Sequence, residues 1–264
     1  MLRRLSILAG VLALSAGTAV AANATPVAPA SVTPSAINPG GLAHVIPSTA
    51  QVAGVLHEEE SSNWSGYAVT GGTYTSVSSS WVQPAGTCSS GDQYAGFWVG
   101  IDGYSSSTVE QTGSEVDCNG AKAVYTAWYE MYPSAPETYN NFVTAGDHFT
   151  ATVTWLGGDK FSLYIADSTE NWSHTTTASL TSTPSRSSAE VITEAPCCTS
   201  SGATFPLADF GTVSYTGSTA NGAAIGGGTG LEQMYIGDSE NRAEDSTSPL
   251  TGDENFSNSW IRDN

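Results

Sequence analysis

From Ser61 to the end of the sequence the chain repeats one texture: short runs rich in Val, Thr, Tyr, Phe and Trp, separated by clusters of Gly, Ser and Asp. Runs of this kind are β-strands and the clusters are their turns. The clearest run is Phe149-Thr150-Ala151-Thr152-Val153-Thr154-Trp155, which puts Phe, Ala, Val and Trp on one face and Thr on the other. Gly157-Gly158-Asp159-Lys160 then turns the chain, and Phe161, Leu163 and Ile165 line the inner face of the next strand. The pair is a hairpin. Further strands are expected at 64–69, 77–82, 96–101, 109–113, 124–132, 172–180, 189–194, 211–215, 231–236 and 255–262. No stretch carries a convincing 3.6-residue period. So many antiparallel strands in one domain require two packed sheets or a barrel.

The first sixty residues read differently. Met1-Leu2-Arg3-Arg4 is a basic start, residues 5–20 are mostly apolar, and Ala19-Val20-Ala21 is a small-residue cleavage signal. This is the pattern of a secretory signal peptide over residues 1–21. Residues 22–60 are rich in Ala, Pro, Ser, Thr and Val, with no aromatic residue to anchor a core. They are expected to be a disordered linker or a pro-segment removed on secretion, ending at His57-Glu58-Glu59-Glu60 and leaving 61–264 as the folded domain. No other stretch has the length needed to cross a bilayer, so the mature protein is expected to be extracellular, free of the membrane and monomeric.

Charge narrows the partners. The net charge is −18 although only 12% of the residues are charged. Seven basic residues cannot build a phosphate-binding face, so nucleic acid is excluded as a partner. Acidic chains with few lysines lose self-repulsion when their carboxylates protonate, which fits work in acid. Four cysteines in an exported chain can pair in three ways. Cys88 and Cys118 could staple the segment between them, while Cys197-Cys198 leaves a vicinal bridge or pairing elsewhere open. No Cys-x-x-Cys or His-rich spacing points to a metal, and no cofactor is expected.

Two strands carry unusual faces. In 127–132, Trp128, Glu130 and Tyr132 share one side, too polar for a dry core and too aromatic for an idle surface. In 189–194, Glu190, Ile192 and Glu194 share one side. The familiar hydrolase signatures are missing: there is no Gly-x-Ser-x-Gly elbow, no Asp-Thr-Gly or Asp-Ser-Gly, and no His-Glu-x-x-His. What remains is carboxylates and amides on strands.

Five motifs occur in order: Asn63-Trp64-Ser65-Gly66-Tyr67, Trp98-Val99-Gly100-Ile101-Asp102-Gly103, Gln111-Thr112-Gly113, Ala127-Trp128-Tyr129-Glu130 and Ala189-Glu190-Val191-Ile192-Thr193-Glu194. In this the chain resembles the eqolisins, the glutamic peptidases, from Ser61 onward. The resemblance implies an all-β fold: an antiparallel β-sandwich of two packed, curved sheets, lectin- or jelly-roll-like, with a substrate groove. It also implies endopeptidase activity on polypeptides in acid. By position, Gln111 and Glu194 would be the catalytic pair, and Trp64, Asp102, Trp128 and Glu130 would line the cleft and bind substrate. Where fungal members carry Asp, this chain has Glu115 and Thr126, and its cysteines are placed differently.

The chemistry is consistent with those residue types. Peptide hydrolysis needs a base for water, a donor for the oxyanion and an acid for the leaving amine. A glutamate with an ordinary pKa of ~4.3 can do both proton transfers in acid. A glutamine NH₂ can donate to the oxyanion. Two other readings use the same residues: a glycoside hydrolase built on Glu190/Glu194 or Glu115/Glu130, and a non-catalytic carbohydrate-binding module. Three Asn-x-Ser triplets, at Asn63, Asn171 and Asn255, match the glycosylation sequon and carry no weight here.

Overall fold

The computed structural model describes residues 58–89, 91–197 and 204–263. The expected signal peptide, most of the expected pro-segment and Cys198 lie outside the described residues. Sixteen strands are formed among the described residues. In chain order they are β1 (Glu58–Ser61), β2 (Trp64–Val69), β3 (Ser76–Val82), β4 (Asp92–Ile101), β5 (Val109–Asn119), β6 (Lys122–Tyr132), β7 (Glu137–Tyr139) and β8 (His148–Gly157). There follow β9 (Lys160–Asp167), β10 (Trp172–Ser179), β11 (Ala189–Glu194), β12 (Thr212–Ala220), β13 (Ala223–Ala224), β14 (Leu231–Ile236), β15 (Asp245–Thr247) and β16 (Phe256–Trp260).

They make two sheets. One runs β1-β14-β2-β11-β4-β5-β6-β7, the other β10-β9-β8-β3-β12-β16-β15, with β13 paired to β12. The strand pairs are antiparallel except β1 with β14. This is the expected β-sandwich. The alternation read from 149–155 sets its inner layer: Phe149, Ala151 and Val153 of β8 and Phe161, Leu163 and Ile165 of β9 are buried. They pack in one core with Tyr67, Phe97, Val99, Val191, Tyr215 and Phe256.

The first sheet has a second apolar cluster on its opposite face, formed by Trp64, Ala68, Trp98, Val109, Trp128, Ile192 and Met234. A sheet buried on both faces reads as a continuous apolar run rather than an alternating one. That is why β2, β4 and β11 are buried at almost every position. Cys88 and Cys118 are bridged, tying the loop before β4 to the far end of β5. Cys197 is also disulfide-bonded.

Strands β1, β7, β13 and β15 are not apparent from sequence. β1 reads Glu-Glu-Glu-Ser, a composition with poor strand propensity. It is held at the sheet edge by tyrosines: Tyr104 Oη donates to Glu59 Oε2 at 2.9 Å and Tyr235 Oη to Glu60 Oε2 at 3.1 Å. The ordered sheet therefore begins before Ser61, the first residue of the expected domain.

Candidate active site

Register across the first sheet decides which side chains share its outer face. Directly paired residues lie on the same side of a sheet. One such row is Ala68–Glu190–Gly100–Gln111–Glu130. The next is Gly66–Ile192–Trp98–Gly113–Trp128, and the third is Trp64–Glu194–Gly96–Glu115–Thr126. Gln111 and Glu194, 83 residues apart in sequence by their numbers, thus stand on one face of one sheet, β4 lying between their strands. Trp64, Trp128 and Glu130 stand on it too.

Glycines make room for the tryptophans. A Cβ at Gly100 would come within 2.7 Å of Trp98 Cζ3, and one at Gly113 within 2.6 Å of Trp98 Cβ and 2.2 Å of the Phe97 carbonyl oxygen. The Trp98 indole therefore occupies the space that a side chain at Gly100 would take, next to Gln111. Trp64 meets it edge-on, with ring centroids 4.9 Å apart and planes at 77°. Gly66 has φ +125 and a Cβ there would be 2.2 Å from the Val191 carbonyl oxygen, so β2 can approach β11 this closely only with glycine.

The other end of the Trp98 indole reaches the acid. Trp98 Nε1 donates to Glu194 Oε2 at 2.8 Å and Asn63 Nδ2 donates to Glu194 Oε1 at 3.1 Å. Both carboxyl oxygens accept, which is the hydrogen-bonding pattern of a carboxylate. Burial nevertheless pushes the Glu194 pKa up to about 8, against the pull of the Trp98, Trp64 and Asn63 donors. The structure departs from the ordinary value expected from sequence because Glu194 has no exposed surface. Asn63 and Trp98 belong to the motifs read from sequence, yet nothing in their spacing marked them as partners of the acid.

Gln111 is fixed by its cross-strand partner. Its Nε2 donates to Glu130 Oε2 at 2.9 Å. Glu130 is raised to about 9, first by burial and then by the charge of Glu194, with the Gln111 bond opposing. Gln111, Glu130 and Glu194 are all fully buried. Gln111 Oε1, Glu130 Oε1 and Trp128 Nε1 find no hydrogen-bond partner among the described residues. Such atoms are normally satisfied by water or ligand.

The remaining acids divide between the two ends of the face. Asp102, with φ 70, accepts from the backbone N–H groups of Arg186 at 2.7 Å and Ser187 at 2.8 Å, holding the segment that leads into β11. Glu190 is raised by burial, with Asp102 and Glu110 adding to it. At the other end Glu115 accepts from the Thr126 hydroxyl. No cluster of His, Cys, Asp and Glu among the described residues has the arrangement to hold a metal.

The profile of the Peptidase A4 family matches residues 62–259. A crystal structure of scytalido-glutamic peptidase with a peptide-based transition-state analogue is 24% identical, covers 76% of this chain and 98% of its own, and has a TM-score of 0.65. SCP-B, an eqolisin-family peptidase in complex with the tripeptide Ala-Ile-His, is 24% identical over 76% of this chain and 98% of its own, with a TM-score of 0.64. Aspergilloglutamic peptidase from Aspergillus niger is 25% identical over 64% of this chain and 99% of its own, with a TM-score of 0.56. No curated protein sequence matches the chain. A profile match that spans the sandwich from β2 to β16, on the fold of the solved glutamic peptidases, leaves one conclusion: the chain belongs to the Peptidase A4 family and is a glutamic-type endopeptidase.

Proposed function

We propose that the protein is a secreted acid endopeptidase in which Glu194 and Gln111 hydrolyse the peptide bond. The observation that carries this reading is the division of labour on one sheet face. Glu194 accepts N–H donors on both oxygens, while Gln111 is held by one N–H to Glu130 and keeps its other N–H and its Oε1 uncommitted. Glu194 accepts from Trp98 and Asn63 whereas Glu130 accepts only from Gln111, so once water enters and relieves the burial that raises both, these donors favour the carboxylate form of Glu194.

In the reaction, Glu194 carboxylate takes a proton from water as the water oxygen bonds to the scissile carbonyl carbon. The oxyanion that results accepts the free N–H of Gln111, and Gln111 Oε1 holds the attacking water beforehand. The carbon–nitrogen bond then breaks, Glu194 returns its proton to the amine, and a carboxyl and an amine product leave. One water is consumed. The site side chains carry no exposed surface, so activity requires that the face be opened to substrate. Export directed by residues 1–21 and removal of a pro-segment within residues 22–60 belong to the same proposal.

Denatured casein, incubated with the secreted protein at about pH 3–5, tests the reading. Cleavage is expected to survive metal chelators and serine-directed reagents, and the N-terminus of the active form is expected ahead of β1, which begins at Glu58. Activity lost to a chelator, or activity confined to polysaccharide, would overturn it.

A further inference from the structure

A sheet that does not close on itself has edges, and an open edge presents unpaired backbone N–H and C=O groups. Among the described residues, three of the four edges of the two sheets are short and acidic. β1 has four residues and begins Glu-Glu-Glu, β7 has three and begins with Glu137, and β15 has three and begins with Asp245. The fourth edge, β10, is different. It runs for eight residues, Trp-Ser-His-Thr-Thr-Thr-Ala-Ser, with no acid, lysine, arginine or proline and no bulge against β9. Its threonines and tryptophan favour strand geometry. In a chain of net charge −18 it is a long edge free of carboxylates.

The ladder fixes which groups of β10 face outward. Leu180 N–H donates to the Asp159 carbonyl at 2.9 Å, one pair beyond Ser179 and Lys160. Antiparallel residues exchange bonds at every second pair. The even-numbered residues of β10 therefore bond β9, and Ser173, Thr175, Thr177 and Ser179 turn their N–H and C=O groups away from it. Ser168 N–H donates to the His148 carbonyl at 3.0 Å, which gives β9 the matching parity, its even-numbered residues bonding β8. No described strand pairs with the outward side of β10. The inner side is held in place. His174 Nε2 lies 2.7 Å from Asn141 Oδ1, and its ring stacks on Tyr139 with centroids 4.3 Å apart. Tyr139 Oη meets Thr176 Oγ1 at 2.9 Å. Trp172 Nε1 donates to the Phe142 carbonyl at 3.2 Å, and Phe142 itself is 66% exposed.

We propose that the edge of β10 is a second polypeptide-binding site, which takes an extended segment of the substrate chain as an added strand. A row of outward N–H and C=O groups is matched by another extended backbone. Strand addition draws its affinity from main-chain bonds, which suits an endopeptidase that must hold chains of many sequences. Inward side chains of the segment meet Tyr139 and Phe142, so apolar residues at alternate positions fit best. A second copy of the chain is the poorer occupant, because it would bring two molecules of net charge −18 edge to edge. The site rests on the peptidase activity and not on which residues cut. β10 leads through residues 180–188 into β11, which carries Glu194, and Tyr139 ties it to β7, the last strand of the first sheet.

The test compares denatured casein, long enough to occupy both places, with a blocked hexapeptide that fills the catalytic face alone. Thr175→Pro removes one outward N–H and leaves the β9 ladder whole, since an edge strand accepts proline where its N–H faces solvent. Thr175→Lys with Thr177→Lys keeps the backbone groups and places charge on the edge. Each variant is expected to raise KM for casein about 3–10-fold, the worth of a lost hydrogen bond, with kcat/KM for the hexapeptide unmoved. A casein KM unmoved in both variants, or a loss shared equally by casein and hexapeptide in both, would overturn the site. Light scattering on the wild-type enzyme is expected to give a monomer. A dimer that Thr175→Pro dissolves would assign the edge to a second copy and overturn the proposal. Wild-type enzyme that cuts neither substrate would overturn the activity on which the site rests, and the site with it.

Discussion

Gln111 and Glu130 face each other across the β5–β6 pair, and the Gln111 amide donates to Glu130 Oε2 at 2.9 Å. An unrestrained glutamine can turn its amide by half a rotation and exchange donor for acceptor. Glu130 prevents this, because an acceptor oxygen faces the Gln111 NH₂. The residue that the motif marked as a substrate contact is bonded, in the full-length chain, to the amide beside it. Glu130→Leu is expected to reduce kcat by about 2–10-fold, the worth of one hydrogen bond to a neutral carboxyl. KM is expected to change much less. Steady-state kinetics separates the two, and an unchanged kcat would show that Gln111 is oriented by something else.

The buried acids make stability fall as pH rises. Burial raises Glu110 and Glu130 to about 9, Glu194 to about 8, and Asp117, Glu244 and Asp245 to about 7. In the unfolded chain these groups titrate near ~4. Between the two values the unfolded state has released its protons while the folded state still holds them, so each step up in pH favours unfolding. The stabilising contribution is complete below about pH 4 and is lost progressively up to about pH 9. A series of Tm measurements on the full-length chain is expected to peak in acid and fall toward neutrality. A maximum near neutral pH would contradict the assignment of these groups as raised by burial.

Gly113 separates Gln111 from Glu115 on the outer face, and its missing side chain is a packing requirement. A Cβ there would meet the Phe97 carbonyl oxygen at 2.2 Å and Trp98 Cα and Cβ at 2.8 and 2.6 Å. Two of those atoms belong to backbone and cannot turn aside. Gly113→Ala is expected to cost about 1–3 kcal/mol of stability and to displace Trp98 from Glu194. Denaturant unfolding measures the first effect and residual activity the second.

The Cys88–Cys118 bridge closes a sequence separation of 30 residues around all of β4 and most of β5. Its removal by Cys88→Ser with Cys118→Ser is expected to cost about 3 kcal/mol. In a domain of this size that corresponds to a fall in Tm of about 6–12 °C. A Tm that does not move would mean that the sandwich holds this segment without the link.

The strands that sequence alone delimited end to end are β2, β11 and β14, short runs rich in apolar and β-branched residues. β5 was legible only to Gly113 because Ser-Glu-Val-Asp-Cys, which completes it, looks like solvent-exposed chain. Its acids point to the outer face, and register, which sequence does not supply, decides that. β15 was hidden for a similar reason. Asp-Ser-Thr reads as a turn, yet Asp245 is buried between sheet elements, accepting from Ser65 and from the Ile236 N–H. In the site, the motifs named Gln111 and Glu194, whereas the contacts of Asn63 and Trp98 with Glu194 depend on side-chain directions across β2, β11 and β4. The pKa of Glu194 was illegible for a deeper reason: it is set by burial, a property of the assembled sheet face and not of the local sequence.

The most direct measurement of the central claim is kcat for Glu194→Gln and for Gln111→Ala on one peptide in acid, with circular dichroism and Tm recorded on the same preparations. Glu194→Gln removes the group assigned to both proton transfers and is expected to lose about 10⁴-fold in kcat or more. Gln111→Ala removes one oxyanion donor and is expected to lose about 10²–10³-fold. Both variants are expected to keep the β-sandwich. Turnover within a few-fold of wild type in either correctly folded variant would contradict the account.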